Sequence, residues 1–329
     1  MTYSVFDKMT IILDYFGGIK MKITIIGGSS MEIIGRSMSP ISNEDLNIGQ
    51  IVTNQGGTGL NISSALANLD CDVNLITALS SDFYSDMIRN RLDCLQVKHI
   101  NTNTESKFST AKQLSIYDEN NESVILMCDN DIISTIKKED LSSTGIAPGV
   151  IVVDSNLERE IIEYIANLEG NYYKVISPKY TDIDKCIDLL HKFHLVKMNV
   201  KEAERCCGFD IKIKSDIFAA GEKIIKNSKQ RLFITTMNKG SYAFEKKTIV
   251  YVNAKNFNFT SSSSVHDMFT AGGIYSYINK YNLINSCKFA TLCSIYRSKL
   301  DRTTNKNISL DDIMSMESHY IFETFSINR

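Results

Sequence analysis

Short β-branched and apolar runs recur along the chain, separated by longer stretches in which apolar residues return every third or fourth position. Lys22 to Gly27 (KITIIG) is one such run, closed by a glycine pair, and predicts a buried first strand ending in a tight turn. Val73 to Ala78, Val150 to Asp154, Tyr173 to Ile176, Leu195 to Met198 and Leu232 to Thr236 predict further buried strands. Ile62, Ala65, Leu66 and Leu69 fall at i, i+3, i+4 and i+7, which puts one apolar stripe on a helix following a glycine-rich loop. Strands alternating with such helices imply βαβ units, and so an α/β fold with a mainly parallel sheet covered on both faces.

Two stretches break the alternation. Ser37 to Gln55 is polar and turn-rich, while Lys112 to Tyr117 and Val124 to Met127 flank Asp118-Glu119-Asn120-Asn121 as two hairpin strands would. Together these pieces predict a small sheet apart from the main one, serving either as a lid over a cleft or as an edge decoration. No internal repeat is visible, and the one low-complexity tract is Ser261 to Ser264.

Composition narrows the class. With 329 residues, 43% of them apolar, the chain buries a substantial core, which excludes a disordered or fibrous protein. A net charge of -2 carries no broad footprint for nucleic acid or an anionic membrane, so the expected partner is a small molecule recognised locally. The eight cysteines form no C-x-x-C pair, which fits reduced thiols and a cytoplasmic protein; Cys206 and Cys207 read as small buried apolar residues. No apolar run approaches the roughly 20 residues that span a bilayer. Residues 1–20 lack a basic leader, and Asp7, Lys8 and Asp14 interrupt any apolar segment, so they are read as an N-terminal extension with the fold beginning at Met21.

Three features carry candidate chemistry. Gly56-Gly57-Thr58-Gly59-Leu60-Asn61, opening the helix at Ile62, lets backbone N–H groups approach a ligand, though a glycine cluster also simply makes a tight turn. It lacks the spacing of a dinucleotide-binding loop. Asn199-Val200-Lys201-Glu202, past a predicted strand and preceded by Lys197, offers oxygens for the water shell of Mg²⁺ and an ammonium for a phosphate. The same spacing suits a capping box, with Asn199 at the N-cap and Glu202 at N3. Asp267, entering the helical pattern Met268-Phe269-Thr270-Ala271-Gly272-Gly273, is placed to cap that helix or to act as a general base near a bound phosphoryl group.

Taken in order, these features resemble the PfkB family of carbohydrate kinases from about Met21 to the C-terminal region. Ile26-Gly27-Gly28-Ser29-Ser30-Met31-Glu32-Ile33-Ile34-Gly35-Arg36 is similar to the pattern I-G-G-A-N-x-D-I-x-G-R of pseudouridine kinases within that family. Gly56 to Asn61 with Ala65 to Leu69 resembles the first family signature, Asp154-Ser155-Asn156-Leu157 resembles D-A-N-L, and Asn199 to Glu202 matches N-x-x-E. Asp267 falls on the aspartate ending the second signature, D-T-x-G-A-G-D.

The resemblance implies a ribokinase-like three-layer α/β/α sandwich with a mainly parallel central sheet and a small β lid, spanning residues 21–329 with lid segments at about 37–55 and 106–131. It implies ATP-dependent phosphorylation of the primary hydroxyl of a nucleoside or sugar, with pseudouridine the leading substrate. Asp267 is then the catalytic base, and Ser30, Glu32, Gly56, Gly57, Asn61 and Asn156 bind the substrate. Lys197, Asn199, Thr235 and Gly240 serve the nucleotide phosphates, and Asn199 and Glu202 hold Mg²⁺ through water. K⁺ assists some members, and a homodimer is compatible with the family.

The chain also departs from the family pattern. Ser264-Val265-His266 stands where the family has G-A-G, and Ser261 where it has the earlier aspartate. The glycines let backbone N–H groups turn inward as an anion hole, a geometry that a β-branched Val265 resists. His266 is expected to compensate, if at all, through an imidazole N–H or a cationic ring. Met237 occupies a glycine position of the nucleotide-side motif, and Ser30 and Glu32 replace the usual Asn and Asp. Two alternatives follow: a catalytically impaired pseudokinase that binds a nucleoside or partner, and a kinase for another sugar such as ribose or fructose 6-phosphate.

Overall fold

Both faces of a central parallel strand must be apolar, and the β-branched runs satisfy that condition at the middle of the main sheet. The computed structural model describes residues 21–104, 107–120, 122–227, 229–236, 240–255, 257, 263–300 and 309–328. Expectations about residues 1–20, Met237 and Ser261 lie outside the described residues. The first half contains β1 (Lys22–Ile26), β2 (Ser30–Ser37), β3 (Gly49–Gly56), α1 (Thr58–Asn68), β4 (Asp72–Thr77), α2 (Phe83–Cys94), β5 (Lys98–Asn101), β6 (Ala111–Tyr117), β7 (Ser123–Asp129), α3 (Lys138–Thr144), β8 (Gly149–Val153) and α4 (Arg159–Asn167). The second contains β9 (Tyr172–Ile176), β10 (Leu195–Asn199), α5 (Val200–Cys207), α6 (Lys214–Ile224), β11 (Arg231–Thr235), β12 (Ser241–Glu245), β13 (Thr248–Ala254), α7 (Ser263–Ile278), α8 (Leu283–Lys299), α9 (Leu310–Ser315) and β14 (Phe322–Asn328).

The main sheet has the order β14-β13-β12-β11-β10-β9-β8-β1-β4-β5. From β5 to β11 the neighbours are parallel, and β12 to β14 extend the sheet antiparallel. Successive strand residues alternate between two apolar layers, as a period of two requires. Ile23, Ile25, Val152, Leu195 and Phe233 pack with residues of α1, α2, α7 and α8. Ile26, Ile151, Val153, Val196 and Ile234 pack on the other side with residues of α4, α5 and α6. The result is the three-layer α/β/α sandwich implied by the family resemblance.

A separate sheet has the order β3-β2-β6-β7. The expected hairpin is β6 with β7, antiparallel. The stretch 37–55, expected to be turn-rich and to join the small sheet, ends in β3, which pairs antiparallel with β2 from Ser30↔Gly56 to Ser37↔Gly49. The small sheet therefore also takes in Ser30 to Ser37. A strand bonds its backbone to two neighbours while alternate side chains remain available to a cleft, so a ligand-facing motif and a sheet strand can be the same segment.

α1 begins at Thr58, earlier than the expected Ile62. Gly57 makes the turn at φ 93°, and a Cβ there would lie 2.6 Å from the Gly28 carbonyl oxygen, so glycine is required. That carbonyl accepts from Gly59 N at 3.0 Å and Leu60 N at 3.4 Å, so the loop leaving β1 supplies the helix with acceptors for its first free donors.

Candidate active site

The carboxyl ends of β1, β8 and β9 open beneath the small sheet, the position where ligands bind in open α/β sheets. A cleft of about 380 Å³ lies there, bordered by Gly28 after β1, Asn156 after β8 and Lys179 after β9, with Glu32 and Gln113 from the small sheet. Ser30, Gly57 and Thr58 also line it. Gly56 lies under Glu32: a Cβ on Gly56 would meet the Glu32 carboxylate oxygen at 2.3 Å. Thr58 is buried, and its hydroxyl has no hydrogen-bond partner among the described residues.

Asp267 is buried, and its Oδ2 accepts a hydrogen bond from Asn61 Nδ2 at 2.8 Å. Burial pushes its pKa up to about 6, with Lys179, Asn61 and Lys197 acting against the rise and Asp154 adding to it. Asp154 is itself buried and ties two loops together, accepting from Gly28 N at 3.2 Å and from Asn156 N at 3.1 Å.

Asp267 does not stand at a helix entrance. α7 runs through Ser264, Val265 and His266 before reaching it, so the stretch that replaces the family's glycine turn, expected to resist that geometry, is helical. Serine, valine and histidine each favour a helix over glycine, and they lack glycine's freedom to adopt the alternative turn. A helix from Ser263 commits the Asp267 N–H to the Ser263 carbonyl four residues back. Val265 is buried, and its carbonyl accepts from Ser294 Oγ on α8 at 3.2 Å, which holds the first turn in place.

His266 turns toward β10, with Nδ1 2.8 Å from Lys197 Nζ. An ammonium only donates, so Nδ1 accepts and the ring proton sits on Nε2. Lys197 beside it, together with burial, pushes the His266 pKa down to about 3. The ring is therefore neutral, and the expected alternative of a cationic imidazole is corrected. Lys197 is 1% exposed; burial pulls its pKa down to about 8 while Glu202 and Asp267 hold it up.

Asn199 and Glu202 form the reciprocal cap. Asn199 Oδ1 accepts from Glu202 N at 3.1 Å, and Glu202 Oε2 and Oε1 accept from Asn199 N and Nδ2 at 2.5 and 3.0 Å. Burial raises the Glu202 pKa and Lys197 opposes that. Among the described residues no group of three or more His, Cys, Asp or Glu is placed to hold a metal directly. One buried carboxylate beside Lys197 fits an ion held mainly by nucleotide phosphates and water. Thr235 lies opposite Asn199 in the β10–β11 register, and its hydroxyl donates to the Met198 carbonyl at 3.2 Å. The Gly240 carbonyl accepts from Thr236 N and Oγ1 at 3.0 and 2.7 Å.

The structure thus brings Asn61, Asp267, Lys197 and His266 together, and groups Ser30, Glu32, Gly57 and Asn156 around one cleft. Lys179 is absent from the sequence expectations. Its signal is the Ser177-Pro178-Lys179 step just past the carboxyl end of a predicted strand. Cys207 is buried and Cys206 half-buried, with burial pushing the Cys206 thiol up to about 12, as expected of unreactive cysteines.

Residues 20–297 match the pfkB family of carbohydrate kinases. The chain is 25% identical over 312 residues to the pseudouridine kinase of Escherichia coli K12, an alignment covering 89% of this chain and 96% of that relative. The fold is similar to that of phosphofructokinase-2 from Escherichia coli, with TM-score 0.76 and 16% identity over 92% of this chain and 99% of that one. It is also similar to ribokinase from Thermotoga maritima, with TM-score 0.67 and 13% identity over 91% and 99% of the two chains.

Proposed function

The chain belongs to the pfkB family of carbohydrate kinases, phosphotransferases with an alcohol acceptor, and on that premise we propose that it phosphorylates the primary hydroxyl of a nucleoside, most specifically pseudouridine. Kinases of this family use ATP, generally with Mg²⁺. The observation that carries the reading is the buried Asp267 carboxyl, oriented by Asn61 at 2.8 Å and within the field of Lys179, which lines a cleft of about 380 Å³.

Phosphoryl transfer depends mainly on positioning and charge stabilisation. In the proposed step the acceptor oxygen bonds to the γ-phosphorus of ATP, the bond from that phosphorus to the bridging oxygen breaks, and its electron pair leaves on ADP. The hydroxyl proton passes to Asp267, whose raised pKa suits a base working near neutral pH. Asn61 orients the carboxylate, Lys197 offsets phosphate charge, and Asn199 and Glu202 face the water shell of Mg²⁺, which neutralises the phosphates when bound. Ser30, Glu32, Gly56, Gly57 and Asn156 hold the sugar. The small sheet serves as the lid.

The charge on the cleft supports an uncharged substrate. Its lining carries Glu32 and Asp182 against one cation, Lys179, an unfavourable setting for a sugar phosphate. The helical Ser264-Val265-His266 favours one alternative, a protein that binds the nucleoside and transfers poorly. ADP release with ATP, Mg²⁺ and K⁺ tests both, screened over pseudouridine, uridine, ribose and fructose 6-phosphate. Turnover greatest on fructose 6-phosphate would overturn the nucleoside reading. A nucleoside that raises Tm without turnover would favour the binding protein.

A further inference from the structure

We propose that Lys179 supplies the positive charge that receives the γ-phosphoryl group during transfer, in the role that a glycine turn ahead of the catalytic aspartate would otherwise fill. The inference rests on the kinase reading and adds to it a catalytic residue outside the motifs.

Three observations lead to it. The first is the loss of the turn: α7 is already helical at Ser264, Val265 and His266, so the Asp267 N–H is spent within the helix. The second is that Lys197 is partly committed, giving one of its three donors to His266 Nδ1 at 2.8 Å. The third is Lys179 itself. It leaves the carboxyl edge of β9, its backbone N–H donates to Ser155 Oγ at 3.0 Å, and it lines the cleft. Its ammonium makes no hydrogen bond or ion pair within 4 Å among the described residues, and it is the one lysine or arginine in the cleft lining.

The surrounding charges keep that ammonium protonated. Burial alone would lower its pKa, but Asp154, Asp267 and Asp182, with Cys128 behind them, raise it above the usual value. The field is mutual, since Lys179 is the strongest influence opposing the raised pKa of Asp267. A protonated, unengaged amine within the field of the base is placed to meet the anion formed beside that base. A lysine binds phosphate as a point charge with three donors. No proton leaves it in the step: the acceptor oxygen bonds to phosphorus, the bridging oxygen departs with ADP, the acceptor proton goes to Asp267, and Lys179 only donates hydrogen bonds to the non-bridging oxygens.

The test compares wild type, Lys179→Met and Lys179→Arg by calorimetry, with MgADP alone and with MgADP, aluminium fluoride and pseudouridine together. The fluoride complex mimics the planar phosphoryl group in flight. Lys179→Met is expected to weaken the fluoride complex by roughly a hundredfold, the scale of losing one transition-state donor. It should change MgADP affinity less than about threefold, and Lys179→Arg should recover most of the loss. Equal binding of the fluoride complex by Lys179→Met and wild type overturns the proposal. So does an equal loss with MgADP alone, or a wild-type affinity for fructose 6-phosphate that vanishes with the lysine, since either assigns Lys179 to a ground-state anion. If Lys179→Met does not fold, Lys179→Gln carries the same comparison. A wild type that binds no MgADP removes the kinase reading, and this inference falls with it.

Discussion

Asn61 and Asp267 stand 206 positions apart in the chain, yet the Asn61 amide donates to the Asp267 carboxylate at 2.8 Å where α1 meets α7. Asp267→Asn keeps an acceptor for that amide and removes the base. Turnover should fall about 10²–10⁴-fold while nucleoside affinity, read by calorimetry, stays within about twofold. A large loss of affinity would show that the carboxylate serves binding and not proton transfer.

The acidity of Asp267 sets a pH limb. A base must be unprotonated, and burial pushes this carboxyl up to about 6, so kcat/KM should rise with pH through a midpoint near 6. Asn61, Lys179 and Lys197 all oppose the raised pKa. Removing one of them, as in Asn61→Ala, should move the limb to higher pH. A limb unmoved by Asn61→Ala would separate the observed pKa from Asp267.

The same carboxyl costs stability. Its folded pKa lies above the ordinary 3.8, so its contribution is fully favourable below 3.8 and is lost as pH rises through about 6. Two pKa units correspond to about 3 kcal/mol. Asp267→Asn should therefore be more stable than wild type at pH 8 by about 1–3 kcal/mol, and the gap should shrink towards pH 4.5. Urea unfolding at the two pH values measures it, and a gap that widens on acidification would contradict the assignment.

β1, β4 and β8 to β11 were legible because a strand buried on both faces is apolar at nearly every position, as Val150 to Val153 is throughout and Ile23 to Ile26 is apart from the buried Thr24. β12 to β14 were not, since their place is decided by pairing with β11 and by the return of residues 322–328 from the far end of the chain. The site divides in the same way. Gly57 shows itself through a backbone demand at φ 93°, whereas Lys179 gains its meaning from Asp154 and Asp267, which the fold alone brings near. At Ser264 to His266 the family pattern pointed to a turn and local propensity to a helix, and propensity prevailed.

Gly57→Ala tests the loop under the sugar. Its Cβ would sit 2.6 Å from the Gly28 carbonyl oxygen in a left-handed backbone, so both strain and collision act against it. A loss of roughly 1–3 kcal/mol in stability is expected, with a KM for nucleoside raised at least tenfold. Wild-type KM in this variant would remove Gly57 from the substrate site.

A triple substitution at the start of α7 rebuilds the turn that the chain lacks. Ser264→Gly, Val265→Ala and His266→Gly together remove the residues that favour helix at the start of α7, cut a buried side chain, and release Lys197 from the 2.8 Å contact with His266. Stability should drop, since each helix glycine costs about 1 kcal/mol. Activity should move the other way, because freed backbone N–H groups can converge on the charge developing in transfer. The gain in kcat should vanish with Asp267→Asn, as a better anion site cannot replace a missing base. It should also weaken the effect of Lys179→Met, because two devices with one task are not additive. Measured as a double-mutant cycle in kcat, the Lys179→Met penalty should be at least fivefold smaller in the rebuilt background than in wild type. A penalty of the same size in both backgrounds would mean that Lys179 and the turn act on different groups.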